Sequence, residues 1–229
     1  MNTIAKEFGA PTPSRAPPLA EPAQASRAGR AKRAGDLAAA LALLVFCAPL
    51  MLTIALAIKL QDGGPVLFRH TRCGRNGASF GLWKFRTMRL DAAERLSALL
   101  EDDPEAEAEW VRTRKLRRDP RVTRLGRLLR KSSLDELPQL VNVITGEMSV
   151  VGPRPVMADE LAGYGTARAA YEAVRPGVTG LWQVSGRNDL GFDARVALDA
   201  AYVRDWSLTR DAVILARTVP VVLTARGAY

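Results

Sequence analysis

From Leu37 to Ile58 the chain runs for 22 residues without a charge. As α-helix this stretch extends about 33 Å at 1.5 Å per residue, enough to cross a bilayer. Arg27, Arg30, Lys32 and Arg33 precede it, and Lys59, Arg69, Arg72 and Arg75 follow. Cationic flanks of this symmetry put both ends in the cytoplasm by the positive-inside rule. Pro49, near the middle, removes a backbone donor and bends the helix. The pattern therefore predicts a segment that enters one leaflet, breaks at Pro49 and returns. A spanning helix and a buried core helix are the alternatives. Ala48, before the proline, has no hydroxyl to satisfy the freed backbone, which leaves the straighter, spanning form open beside the re-entrant one.

After Gly63-Gly64 the pattern shortens to the apolar runs Val66 to Phe68 and Phe80 to Phe85, and Asn76-Gly77 between them predicts a β-hairpin. Asp91 to Leu100 reads as a helix. Ser133 and Glu136 form an S-x-x-E capping box ahead of Leu137, Leu140, Val141 and Ile144, spaced i, i+3, i+4, i+7. A helix should begin there, with Asp135 and Glu136 at its positive end, where the dipole keeps a carboxylate ionised. Pro138 allows the start to slip a few residues later. Phe192 to Thr224 reads as helices that mostly pack, with Trp206 and the apolar end as candidates for a membrane interface. Met1 to Ala34, punctuated by Pro11, Pro13, Pro17, Pro18 and Pro22, reads as a disordered basic tail. The fold class expected is α+β, mainly helical: a monotopic membrane protein with one re-entrant, proline-broken helix and a small β-hairpin. Its parts are a tail over 1–34, the membrane helix over 35–60 and a cytosolic domain over 61–229.

Charge adds direction to this picture. The 229 residues carry a formal net charge of +9, which calls for an anionic partner. Arg112 to Lys131 holds ten Lys or Arg residues with Asp119 the only acid, and it leads directly to Asp135 and Glu136. A positive field feeding a carboxylate pair suits an anionic substrate attacked by a carboxylate. The run by itself would fit nucleic acid, yet no aromatic interleaving or binding motif accompanies it, so anionic substrate and anionic lipid headgroups are the partners expected. Glu101-Asp102-Asp103 with Glu105, Glu107 and Glu109 reads as a solvated helix face. His70 is the only histidine, which excludes histidine-based triads and metal clusters. Cys47 and Cys73 have no ligand-like spacing and read as reduced.

Several long stretches then occur in a fixed order: Lys84-Phe85-Arg86-Thr87-Met88, Arg130 to Gln139, Asn142 to Pro155 with Gly152-Pro153-Arg154-Pro155, and Arg175 to Asn188 with Trp182, Gln183, Arg187 and Asn188. From about Ala31 to the C-terminus the chain closely resembles the bacterial sugar transferases, the monotopic polyprenyl-phosphate phosphoglycosyl transferases that start exopolysaccharide assembly. The resemblance implies a two-step reaction at the cytoplasmic face of the bacterial inner membrane. An aspartate attacks the β-phosphate of a UDP-sugar, UMP leaves, and the sugar phosphate passes to polyprenyl phosphate. Asp135 matches the nucleophile and Glu136 its partner. Magnesium is implied beside Asp135. By the same resemblance Lys84, Arg86, Arg130, Arg154 and Arg187 contact substrate phosphate or the acids, and Pro49 is the membrane break. Membrane lipids are a further partner; a homodimer stays open, and the sugar is not legible. The rival readings are a membrane-tethered binding or scaffold protein that uses the basic run, and a glycosyltransferase that releases UDP.

Overall fold

The computed structural model describes residues 27–113, 116, 118–186 and 190–224. The long apolar run forms α1, Arg27–Asp62, which begins inside the segment assigned from sequence to the tail. The helix is continuous through Pro49, and the Thr53 hydroxyl donates to the Pro49 carbonyl at 2.9 Å. It is long and apolar enough to cross a membrane. Its middle is bare, with Val45 76% and Phe46 82% exposed, whereas Ala40 near one end and Ile58 near the other are fully or almost fully buried.

The hairpin forms as the sequence predicts. β1 (Leu67–Cys73) pairs antiparallel with β2 (Ser79–Phe85), Phe68 standing opposite Lys84 and Arg72 opposite Phe80. The turn carries Asn76 and Gly77 at φ 57° and 71°, left-handed values that asparagine and glycine tolerate. His70 is exposed on β1. The acidic stretch spans two short helices, α2 (Ala92–Asp102) and α3 (Pro104–Thr113).

The remaining elements build the body behind the hairpin. They are α4 (Arg124–Lys131), a 3-10 turn (Leu134–Glu136), α5 (Gln139–Thr145) and β3 (Ser149–Val151). Then come α6 (Ala158–Ala162), α7 (Arg168–Glu172), β4 (Gly177–Thr179), α8 (Leu181–Ser185), α9 (Phe192–Arg204) and α10 (Leu208–Thr224). β3 and β4 pair in parallel as a second two-stranded sheet. The described part of the segment Arg175 to Asn188 thus holds a short strand and a short helix. The main core joins Ala40, Phe80, Leu82, Leu140, Val143, Val151, Leu181, Tyr202 and Ile214. A second cluster packs Ile54 and Ile58 of α1 against Phe85 and Leu129, with Leu134 and Leu137 beside them.

Both ends of α1 therefore grip the same body. At the first, Lys32 donates to Asp211 at 2.6 Å and to the Val151 carbonyl at 3.1 Å. Asp36 accepts from the Ser149 hydroxyl at 2.7 Å and the Val150 amide at 3.1 Å. Arg33 donates to the Val143 and Ile144 carbonyls at 2.7 and 3.1 Å, at the end of α5 where carbonyls run out of helical partners. Lys32 and Arg33, read from sequence as lipid-facing flank charges, are spent on internal partners. Trp206 is drawn inward in the same way, its indole N–H donating to Asp211 at 3.2 Å, while the Tyr202 hydroxyl reaches Asp211 at 2.8 Å.

Candidate active site

Lys84 is the penultimate residue of β2, and strand alternation turns it away from the buried Phe85. Its Nζ lies 2.7 Å from Glu136 Oε1 and 3.7 Å from Asp135 Oδ2. The two acids belong to the 3-10 turn, whose leading residue Ser133 is left-handed at φ 56° and makes no side-chain cap hydrogen bond. The capping box read from the sequence is therefore not formed. Glu136 turns to Lys84 instead of Ser133, and α5 starts only after Pro138. The helix slips to the later start that Pro138 permits.

That slip changes the electrostatics of Asp135. The residue is 7% exposed, and burial pushes its carboxyl above the usual aspartate range. Lys84 pulls it back down, Glu136 adds to the rise and Arg130 opposes it. The positive charge available to Asp135 thus comes from side chains on β2 and α4 more than from a helix end.

Arg130 sits in the last turn of α4, where its Nε donates to the Thr87 hydroxyl at 2.9 Å. The backbone beyond β2 lies hard against the start of this helix. Thr123 donates its amide to the Thr87 carbonyl at 3.1 Å, and its hydroxyl caps α4 by accepting from the Gly126 amide at 2.8 Å. A Cβ at Gly126 would overlap that same Thr87 carbonyl, so only glycine admits the approach. The motif Lys84 to Met88 thereby locks the strand carrying Lys84 to the helix carrying Arg130.

The other sequence candidates fall elsewhere. Arg86 is buried and ion-paired to Asp62 at the end of α1, so it links the hairpin to the apolar helix and does not join the acids. Arg154 follows β3 on the Gly152–Pro155 turn, with its guanidinium 5.4 Å from the centre of the Trp182 ring. Among the described residues it makes no ion pair. Arg187 lies outside the described residues.

Sequence reasoning assigned no role to two buried polar residues. Asn142 is fully buried. Its amide accepts from the Trp83 backbone at 3.0 Å and donates to the Gly81 carbonyl at 2.8 Å and to Glu147 at 2.6 Å, so it pairs with β2 as a neighbouring strand would. A polar residue on the apolar face of a helix was the available signal. Asp199, 2% exposed, accepts from the Tyr164 hydroxyl at 2.9 Å. Burial raises its carboxyl to about 7, against the Tyr164 hydrogen bond and the charges of Arg195 and Arg154.

Two adjacent carboxylates, an ammonium and a guanidinium can accept, neutralise and attack a phosphorus centre. Known proteins resemble this chain over most of its length. The family description for bacterial sugar transferases matches residues 27–225. An exopolysaccharide production protein of Rhizobium meliloti, ExoY, is 54% identical over 88% of this chain and 89% of its own. The undecaprenyl-phosphate galactose phosphotransferase of Salmonella typhimurium is 48% identical over 86% of this chain and 41% of its own, so the chain spans less than half of that relative. The UDP-glucose:undecaprenyl-phosphate glucose-1-phosphate transferase of Caulobacter vibrioides is 47% identical over 86% of this chain and 72% of its own. From Arg27 almost to its end, the chain belongs to the bacterial sugar transferase family.

Proposed function

We propose that this protein transfers a hexose 1-phosphate from a UDP-sugar to undecaprenyl phosphate or a similar polyprenyl phosphate, as a first membrane step of exopolysaccharide synthesis. The observation that carries this reading is the buried Asp135 carboxyl, 3.7 Å from the Lys84 ammonium, next to Glu136 and within the field of Arg130. A carboxylate oxygen of Asp135 attacks the β-phosphorus, the bond to the bridging oxygen breaks, and UMP leaves with that electron pair. The aspartyl-phosphosugar then yields its phosphosugar to the phosphate oxygen of the lipid, which restores the carboxylate. Lys84 lowers the carboxyl's pKa before attack and lies where charge grows on the phosphoryl oxygens.

Asp135 and Glu136 would also hold the magnesium ion that the family implies. Magnesium is commonly held by one or two protein carboxylates, with water and substrate phosphate completing an octahedron. The donor set fits that habit in that Asp135 and Glu136 are adjacent carboxylates on one turn. When bound, the ion neutralises the diphosphate and stabilises the departing phosphate.

Its two substrates, one soluble and one lipid, require a membrane-bound enzyme facing the cytoplasm. Support for re-entry comes from α1, whose two ends pack on one body while its middle stays bare and apolar. A body on one side of a bilayer can hold both ends of a helix only if both lie on that side. Detergent-solubilised protein, given magnesium, polyprenyl phosphate and a panel of UDP-sugars, tests the reaction. UMP release from one donor, lost in Asp135→Asn, is expected; UDP release would transfer the reading to a conventional glycosyltransferase.

A further inference from the structure

Arg72 takes no part in the site described so far. It lies on β1, half-buried, on the sheet face that carries Phe68 and His70, and Phe68 is the partner of Lys84 across the hairpin. The face thus leads along β1 from the Lys84 end toward Arg72, about 13 Å away at 3.4 Å per residue. Its one hydrogen bond among the described residues goes from Nη1 to the neighbouring Thr71 carbonyl at 3.0 Å, and it makes no ion pair there. Arg154 is brought beside it where β1 ends, since the Cys73 amide donates to the Val156 carbonyl at 2.9 Å. Burial first, then the Arg154 charge, push the Arg72 guanidinium below the usual arginine value, and Glu160 opposes them.

Glu160 does not neutralise this pair. Its carboxylate is engaged by Arg195 at 2.9 Å and by the Met157 amide at 3.1 Å. Arg195 and Arg154 in turn both lie over the Trp182 ring, at 5.8 and 5.4 Å. Arg72, Arg154 and Arg195 gather near Glu160, Asp159 and the buried Asp199, yet of the three only Arg195 closes an ion pair among the described residues. Partly desolvated cations in that state are held against their mutual repulsion until an anion joins them.

We propose that Arg72 binds, together with Arg154, a substrate phosphate other than the one attacked at Asp135. The proposal rests on the phosphosugar-transfer reading, in which three phosphoryl groups enter the site and one is attacked. The shared chemistry is a phosphate monoanion or dianion, supplied by the nucleotide portion of the donor or by the lipid acceptor.

The test uses the full chain in detergent with magnesium and compares Arg72→Met, Arg72→Lys and Arg69→Met. Arg69 is the control: it lies on the opposite face of β1, over the Trp83 ring at 5.0 Å, and removes the same charge from the same strand. UMP release during full transfer, with the donor and polyprenyl phosphate varied in turn, gives KM for each. Arg72→Met is expected to raise one of these by about tenfold or more, with kcat changed by less than about threefold and part of the loss restored by lysine. A rise for the donor assigns the nucleotide phosphate; a rise for the acceptor assigns the lipid phosphate. The proposal is overturned if neither KM moves, if Arg69→Met moves them equally, or if Arg72→Lys is no better than Arg72→Met. A wild type that releases UDP would remove the aspartyl mechanism, and the KM comparison would still read Arg72.

Discussion

Lys84 donates to Glu136 at 2.7 Å across 52 residues of sequence, and this contact joins the hairpin to the turn that carries Asp135. The ammonium therefore fixes the position of the acids and tunes them. In Lys84→Met the Asp135 carboxyl loses its largest pKa-lowering influence, so its pKa rises further. A step that needs the carboxylate then fails at a higher pH. Activity should fall on the order of 10²-fold at neutral pH, and the acid limb of the pH-rate profile should move upward. An unmoved limb would mean that Lys84 acts on the substrate alone.

Gly126→Ala places a methyl group on the Thr87 carbonyl. Either α4 or the backbone beyond β2 must retreat, and the Arg130 to Thr87 contact opens with it. Overpacking of this kind costs about 1–3 kcal/mol. A thermal melt should register the loss, and activity should drop more than the melt alone explains.

Asp199 makes stability depend on pH. Its folded value of about 7 lies above the aspartate value of about 3.9 expected for the unfolded chain. The folded state thus keeps a proton that the unfolded state has already released. This contribution is fully present below roughly pH 4 and declines by about 1.4 kcal/mol per pH unit until pH passes about 7. Unfolding measured at pH 5 and 7 should show wild type losing stability across that window, and Asp199→Asn, which retains an acceptor for Tyr164, should lose less. Equal slopes would remove Asp199 as the source.

The topology of α1 is open to a direct measurement. In a background lacking Cys47 and Cys73, single cysteines just outside the ends of α1, before Arg27 and after Asp62, should both react with an impermeant thiol reagent only in inverted membrane vesicles. Labelling of one of the two in right-side-out vesicles would establish a spanning helix.

How legible this fold was depended on how local its determinants are. The hairpin could be read because Asn76 and Gly77 alone supply the left-handed turn. α1 could be read because an uncharged run needs no partner to reveal itself. The turn at Ser133 was misread: S-x-x-E is a local rule, and the partner that overrides it, Lys84, is 52 residues away. Lys32 looked like a lipid-facing charge because Asp211 is 179 residues distant. Asp135, Glu136, Lys84 and Arg130 were nominated by resemblance and do converge. Arg86 shares their motif, but it is drawn off by Asp62. Asn142 offered only a polar residue on an apolar helix face, and Asp199 left no local pattern that distinguishes a buried hydrogen-bonding group from an exposed one.

The distance in sequence between Lys32 and Asp211 also imposes an order of events during synthesis. At about 5–20 residues per second, the ribosome needs roughly 10–35 s to add the 179 residues that separate them. For most of that interval the apolar helix is already made, while the Asp211 carboxylate that receives the Lys32 ammonium does not yet exist. Asp36, one turn along α1 and 3.8 Å from that ammonium, is the carboxylate at hand until then, and α10 closes the clasp on this end of the helix.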